Sequence, residues 1–145
     1  MQRTPTLELA DAQFALDHMR DDAATRGLCA VVAVADPHGE LIGLLRMDGA
    51  RLPSIVIAAN KAYTAAREQV PSKHIGTAAR HPETGFDLAY FGDPRMIGWG
   101  GGVPVIVDGA CLGAVAVSGL PEHIDIEIAT AAAAALVERL ASPRP

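Results

Sequence analysis

The sequence predicts an α+β domain, a three-layer α–β–α sandwich around a mainly antiparallel sheet of four to five strands. Two pairs of strand-like runs, each joined by a strong turn, indicate two hairpins, and strands joined as hairpins are antiparallel. Three main helices are predicted around them, in the order helix, hairpin, helix, irregular region, hairpin, helix. The strand-like runs are apolar along most of their length, which predicts that helices cover both faces of the sheet.

The first helix is predicted to begin at Thr6, whose hydroxyl can cap the free N–H groups, and to end at Gly27. Glu8 complements the helix dipole in the first turn, and Asp11 is expected to face the solvent. Apolar side chains recur at helical spacing, which predicts one buried side. These side chains are Leu9, Ala12, Leu16, Met19 and Ala23.

The next segment predicts a hairpin followed by a second helix. Residues 29–35 and 41–45 are strand-like, and the Asp-Pro-His-Gly sequence at 36–39 is a strong turn between them. Pro53 or Ser54 then begins a helix whose buried side consists mainly of small residues, which permits close packing. That side comprises Ile55, Ala58, Ala59, Ala62 and Ala66.

Residues 70–99 have poor periodicity and are interrupted by proline and glycine. A long irregular stretch in a compact domain is more often a binding loop or an interface than a plain linker, and here it can also supply the fifth strand. Beyond it, residues 103–107 and 110–117 flank an Asp-Gly pair, which favours a type I′ hairpin turn. Pro121 suits the first turn of the last helix.

Length and charge narrow the classes of function. The 145 residues are expected to form a single domain over positions 1–145. The net charge is −5 and the basic residues are scattered, so nothing resembles a nucleic-acid or anionic-membrane surface. The first residues show no apolar signal region, and no stretch has the roughly 18 apolar residues of a membrane span. We therefore expect a cytoplasmic protein whose Cys29 and Cys111 are buried, reduced thiols.

Four charged residues stand where a site could form. Arg46 follows a predicted strand and is either a surface charge or a guanidinium fork for a carboxylate. Asp48 is either its partner or a turn residue. Lys61 lies in the small-residue helix and Asp125 near the start of the last helix, and each is either a solvent-facing charge or an acid–base group.

Glycine and serine mark a second candidate region. Gly100, Gly101 and Gly102 precede a strand, so their N–H groups can form an anion-holding concavity, or the segment is simply a kink into the strand. The segment is no dinucleotide fingerprint, because it does not open a helix. Ser118, between a strand and a helix, is predicted to cap the helix or to donate a hydrogen bond to a ligand.

The five histidines have no metal-site spacing, so a built-in zinc or non-haem iron site is not expected. His74 and His81, in the irregular region, are the candidates to coordinate an exogenous metal or haem iron. Taken singly, each is more often an exposed surface side chain.

Motifs along nearly the whole chain occur together and in a fixed order. They are Leu7–Ala10, Val34–Gly39, Arg46–Ala50, Lys61–Ala65, Gly101–Val105 and Gly113–Gly119, with Asp125 and Ala129 downstream. As a set they resemble the GlcG/HbpS family, often called haem-degrading or haem-binding domains. The resemblance implies the same sandwich, assembled into homo-oligomers as dimers or larger rings. It also implies a link to haem or corrinoid binding, or to catabolic operons, and haem as the possible cofactor.

Three functions stay open. The first is a small-ligand-binding domain for haem or a related tetrapyrrole, with His74 or His81 on the iron. The second is a cofactor-independent enzyme or sensor for a small carboxylic acid in a catabolic pathway. There Arg46 clamps the carboxylate, the triglycine amides stabilise negative charge, and Lys61 and Asp125 act as acid and base. The third is an assembly module without a ligand. The first two are expected to use one pocket at which these residues converge.

Overall fold

The computed structural model describes residues 1–142 and contains four α-helices and a four-stranded sheet. The helices are α1 (Leu9–Thr25), α2 (Ser54–Glu68), α3 (Ser72–Ala79) and α4 (Glu122–Ala141). The strands are β1 (Val31–Ala35), β2 (Leu41–Arg46), β3 (Gly102–Val107) and β4 (Ala110–Ser118). A single turn of 3-10 helix covers Leu88–Phe91.

The sheet confirms the two predicted hairpins. Its strand order is β2-β1-β4-β3, and every neighbouring pair is antiparallel. The two strands at the centre, β1 and β4, therefore come from different hairpins. In the register, Arg46 of β2 lies opposite Val31 of β1, which in turn lies opposite Ser118 of β4. These three residues form one row across the end of the sheet.

Helices cover both faces of the sheet, as predicted. All five residues of β1 are buried, although successive side chains of a strand point to opposite faces. Val32 and Val34 pack with α1 and α4 in the larger core, whereas Val31, Ala33 and Ala35 pack with α2. The order of layers is therefore α1 and α4, then the sheet, then α2.

The start of α1 differs from the prediction. The cap is Glu8, not Thr6, because the Glu8 N–H donates to the Asp11 carboxylate at 2.9 Å and the Glu8 side chain accepts from Asp11 in return. This reciprocal arrangement draws Asp11 inward to 1% exposure and leaves Leu9 at 71%. Leu7, which precedes the helix, is buried, whereas the sequence predicts burial for Leu9. The helix ends as predicted at Gly27, which has φ +72°.

The irregular region forms no fifth strand in the part of the chain that the structure describes. It contains α3 and the 3-10 turn, and it is fastened to α2 by side chains. The Tyr63 hydroxyl donates to Asp93, and the Arg95 guanidinium stacks 3.8 Å from the centre of the Tyr63 ring. The Ile97 N–H donates to Thr64 at 3.0 Å. Side-chain contacts with α2 therefore hold this segment in place, instead of the backbone hydrogen bonds that a strand would form.

Cys29 is exposed and Cys111 is half-buried, so the expectation of two buried thiols is wrong for Cys29. Cys29 lies just before β1, outside the part of the sheet that the helices cover. Among residues 1–142, none of the helices is long and apolar enough to cross a membrane.

Replacing Gly102 with alanine is expected to destabilise the fold, because the added Cβ would lie 2.3 Å from the Lys61 carbonyl oxygen. Backbone cannot move aside as a flexible side chain can, so we expect a loss of about 1–3 kcal/mol. Thermal unfolding followed by circular dichroism measures it. Gly43→Ala is the control, since Gly43 has no left-handed φ and its Cβ would meet only the Cδ1 methyl of the Leu16 side chain, which can turn aside. An equal loss in both variants would contradict close packing at Gly102.

Candidate functional site

A cavity of about 290 Å³ opens at the end of the sheet where β4 stops. The N-termini of α2 and α4 and the glycine segment before β3 enclose it. Its wall combines charged side chains of both signs, hydroxyls and a few apolar side chains. The lining residues are Arg51, Pro53, Ser54, Ile57, Lys61, Trp99, Gly100, Ser118, Gly119, Leu120, Glu122 and Asp125.

A buried ion pair forms the floor of this cavity. The Lys61 Nζ of α2 lies 3.1 Å from the Asp125 Oδ2 of α4, and both side chains are only 3% exposed. Lys61 also donates to the Val117 carbonyl of β4 at 2.9 Å, and Asp125 accepts from the Leu120 N–H at 3.3 Å. Because buried charges are costly without partners, this satisfied pair fixes α2 and α4 to the end of β4.

Burial brings the two pKa values of the pair closer together. Loss of solvent raises the pKa of Asp125 to about 6 from its ordinary 3.8, with the Lys61 charge opposing the shift. Loss of solvent also lowers the pKa of Lys61, with Asp125 opposing. Groups shifted in this way can exchange a proton with a bound molecule near neutral pH.

Two serine hydroxyls line the cavity without an internal partner. Ser54 in the first turn of α2 is 4% exposed, and Ser118 at the end of β4 is 3% exposed. Neither side chain forms a hydrogen bond with any residue that the structure describes. Both oxygens face the open cavity and have no protein partner, so they are available to bond to water or to a bound molecule.

The triglycine lies beside the cavity, but two of its three amides are already committed. The Gly100 N–H donates to the Glu122 carboxylate and the Gly102 N–H donates to Ser72 Oγ, both at 3.0 Å. The predicted anion-holding concavity is therefore wrong for these two amides. The glycines are needed for space, since a Cβ on Gly101 would lie 2.5 Å from the Val117 oxygen and 3.0 Å from Lys61 Nζ.

Glu122 closes one side of the cavity. Besides accepting from Gly100, its carboxylate pairs with Lys73 of α3. Both hydrogen bonds hold the pKa of Glu122 below its ordinary value, so it carries a compensated negative charge.

The structure brings together Lys61, Gly100, Ser118 and Asp125, but not Arg46 or Asp48. Arg46 is exposed at the end of edge strand β2, two strands and therefore about 10 Å from Ser118 in their common row. Asp48 is exposed in the turn that follows. Neither lines the cavity. The arginine that lines the cavity is Arg51, five positions after Arg46.

The sequence did not mark Arg51, Ser54, Trp99 and Glu122 as candidates for a site, although all of them line the cavity. Arg51 and Ser54 flank the predicted start of the second helix, and Glu122 follows the proline that opens the last one. The N-terminal ends of helices often bind ligands through their free N–H groups. The position of these residues at helix starts could therefore have identified them as candidates. Trp99 carried a further signal as the single tryptophan, next to the triglycine.

The two histidine candidates lie outside the cavity. His74 is exposed on α3. His81 is exposed as well, but its Nδ1 accepts the N–H groups of Glu83 and Thr84 at 3.2 and 3.1 Å. The Nδ1 of His81 is therefore already engaged in the turn that it caps. Within residues 1–142, no three His, Cys, Asp or Glu side chains form a cluster that could hold a metal ion.

The sequence of this chain is similar to a known protein family and to individual proteins. A family model described as "Haem degrading protein HbpS-like" matches residues 7–134. Protein GlcG of Escherichia coli strain K12 is 37% identical over 99 residues, which cover 68% of this chain and 71% of GlcG. An uncharacterized 15.0 kDa protein from the dhaT-dhaS intergenic region of Citrobacter freundii is 33% identical over 118 residues, covering 81% of this chain and 83% of that protein.

Solved structures show the same fold. Klebsiella pneumoniae protein ORFY has a TM-score of 0.86 and 30% identity, covering 94% of both chains. A double mutant of Streptomyces reticuli HbpS has a TM-score of 0.82 and 30% identity, covering 94% of this chain and 90% of that one. PduOC, crystallised as a complex with haem, has a TM-score of 0.82 and 26% identity, covering 90% and 94%.

Replacing one member of the Lys61–Asp125 pair is expected to destabilise the protein far more than replacing both. Lys61→Met or Asp125→Asn leaves an uncompensated buried group, at a cost of about 3–5 kcal/mol. The double variant is expected to recover much of this loss, because no buried charge remains. Urea unfolding of all four proteins at neutral pH gives the coupling free energy. Losses that simply add would show that the two groups are independent.

The pH dependence of stability is expected to show the raised pKa of Asp125. Between about pH 4 and 6 the folded protein keeps a proton that the unfolded chain has released. The stabilisation is therefore complete below about pH 4 and is lost as the pH rises through about 6. Wild type is compared with the Lys61→Met/Asp125→Asn double variant by urea unfolding across this range. A constant difference between them would contradict the shift.

Proposed function

This chain belongs to the HbpS-like family, and from that premise we propose that it is a small-ligand-binding domain whose ligand occupies the cavity between α2 and α4. The observation that carries the proposal is the pair of unpartnered hydroxyls, Ser54 and Ser118, beside the buried Lys61–Asp125 pair. Several polar groups that converge on one cavity and are not used within the protein are typical of a small-molecule site.

The size of the cavity favours a compact molecule. Its volume of about 290 Å³ is at the lower end of the range of known ligand pockets and equals that of roughly ten water molecules. Its wall offers hydroxyls, an ammonium, carboxylates and a guanidinium, together with the apolar surfaces of Ile57 and Trp99. A ligand with few carbon atoms and several oxygens matches this mixture.

Haem or a related tetrapyrrole is the second candidate, and the similarity to the haem complex of PduOC favours it. The residues of this chain do not form a haem pocket by themselves. A porphyrin, four pyrrole rings in one plane, is far larger than the cavity. The second depression, about 400 Å³ beside the 3-10 turn, has no histidine among its lining residues. Haem would therefore bind on an outer face, with His74 as the candidate ligand.

The proposal also covers the oligomeric state of the protein and its location in the cell. The family resemblance supports a homo-oligomer. The composition supports a cytoplasmic protein, and the catabolic setting is carried over from the family. In such an assembly an outer haem site can include surfaces of more than one copy.

Removing the two hydroxyls is expected to abolish ligand binding without harming the fold. Ser54→Ala and Ser118→Ala, singly and together, delete groups that have no internal partner, so unfolding temperatures without ligand are expected to stay equal or rise. Thermal-shift measurements with small carboxylates, polyols, amides and hemin identify compounds that stabilise wild type. The shift is expected to fall by more than half in the double variant. Thr77→Ala, an exposed hydroxyl on α3, is the control.

The haem arm of the same experiment separates the two candidates. A Soret shift on hemin titration that is lost in His74→Ala, but kept in His81→Ala and in the double serine variant, would favour the outer site. If no compound stabilises wild type, or if the double serine variant responds like wild type, the proposed cavity site is wrong.

A further inference from the structure

The charged side chains that line the cavity do not all neutralise one another. Within residues 1–142, one of them has no partner of opposite charge. Lys61 and Asp125 neutralise each other at 3.1 Å. Glu122 is paired with Lys73 and also accepts the Gly100 N–H. Arg51 is the remaining charged residue of the lining, and its guanidinium has no ion pair or hydrogen bond within residues 1–142. The cavity therefore has one uncompensated positive charge at its mouth.

The position of Arg51 adds to this preference for an anion. Its carbonyl accepts the Ser54 N–H at 3.1 Å, so it is anchored directly before the first turn of α2. A helix N-terminus has a positive partial charge, which adds to the guanidinium charge. The two unpartnered hydroxyls lie further inside, where they can donate to an oxygen of the same molecule.

The remaining lining excludes other classes of ligand. A cationic ligand would meet Arg51 without finding a free carboxylate, because both carboxylates of the lining already have cationic partners. A phosphate ester carries up to two negative charges, of which the one unpaired guanidinium of the lining can compensate only one. A planar carboxylate matches the two-pronged guanidinium, and its hydrocarbon part can contact Pro53, Ile57 and Trp99.

We infer that the cavity binds a small carboxylate with a second polar oxygen, and that Arg51 determines this specificity. The inference rests on the proposed function of the cavity and names its class of ligand. The carboxylate pairs with the Arg51 guanidinium at the mouth, and the second oxygen, a hydroxyl or a carbonyl, reaches Ser54 and Ser118. The second oxygen thereby comes next to the Lys61–Asp125 pair, where a proton can be exchanged with it.

Two arginines of the same chain provide a matched test. Arg51→Gln and Arg46→Gln remove the same charge from exposed residues five positions apart, but only Arg51 lines the cavity. The probes are acetate, lactate and pyruvate, with acetamide and lactamide as neutral analogues of similar shape. Affinities are measured at low ionic strength by calorimetry, with unfolding temperatures as the check on folding.

Lactate or pyruvate is expected to bind more tightly than acetate, and the amides at least tenfold more weakly. Arg51→Gln is expected to weaken carboxylate binding by roughly ten- to a hundredfold, because a charge-assisted hydrogen bond contributes about 1.5–3 kcal/mol. Arg51→Lys keeps the charge but loses the fork, so its loss is expected to be smaller than that of Arg51→Gln. Arg46→Gln is expected to bind within twofold of wild type.

Equal carboxylate affinity in Arg51→Gln and wild type would overturn the inference, as would an equal loss in Arg46→Gln. If amides or polyols bind in a manner that depends on Ser54 and Ser118 while carboxylates do not, the ligand class is wrong and the cavity site stands. If no probe and no screened compound binds the cavity, both the class and the site are wrong.

Discussion

The buried pair of Lys61 and Asp125 is the constraint on which the rest of the site depends. It connects α2, on one face of the sheet, with α4, on the other, around the end of β4 where the ladder stops. Two charges in such a place are tolerated only when backbone and side chains satisfy them closely. The requirement explains the glycine at position 101, since a side chain there would collide with Lys61 and with the Val117 carbonyl that accepts its hydrogen bond.

Close packing around this pair leaves little freedom elsewhere at the site. Gly102 contacts the Lys61 backbone, and Ser72 bonds the Gly102 amide, so α2, α3 and β3 meet at one point. The cavity opens next to this closely packed cluster, and its two serine hydroxyls have no protein partner. A rigid floor with unused donors is the arrangement that binding sites need, because little ordering has to occur when the ligand arrives.

A shared fold does not by itself determine which ligand is bound. This chain shares its architecture with HbpS and with a protein crystallised with haem, yet its own cavity is much smaller than a porphyrin. A fold constrains the positions of helix ends and strand ends, whereas the side chains at those ends decide what is bound. In this chain they are a guanidinium, two hydroxyls and an ion pair, which favour a compact polar molecule over a large planar one.

The sequence by itself determined the sandwich, both hairpins, the covered faces and the candidacy of Lys61, Ser118 and Asp125, because periodicity and turn chemistry are local properties. It misplaced Thr6 and Asp11, whose positions depend on a reciprocal cap, and it left α3 undetected among prolines and glycines. Only the tertiary structure decided that Arg51, not Arg46, reaches the cavity. The reason is geometric: both arginines lie at element ends, but sheet order puts β2 at the edge while α2 begins beside the end of β4. No spacing along the chain encodes that proximity.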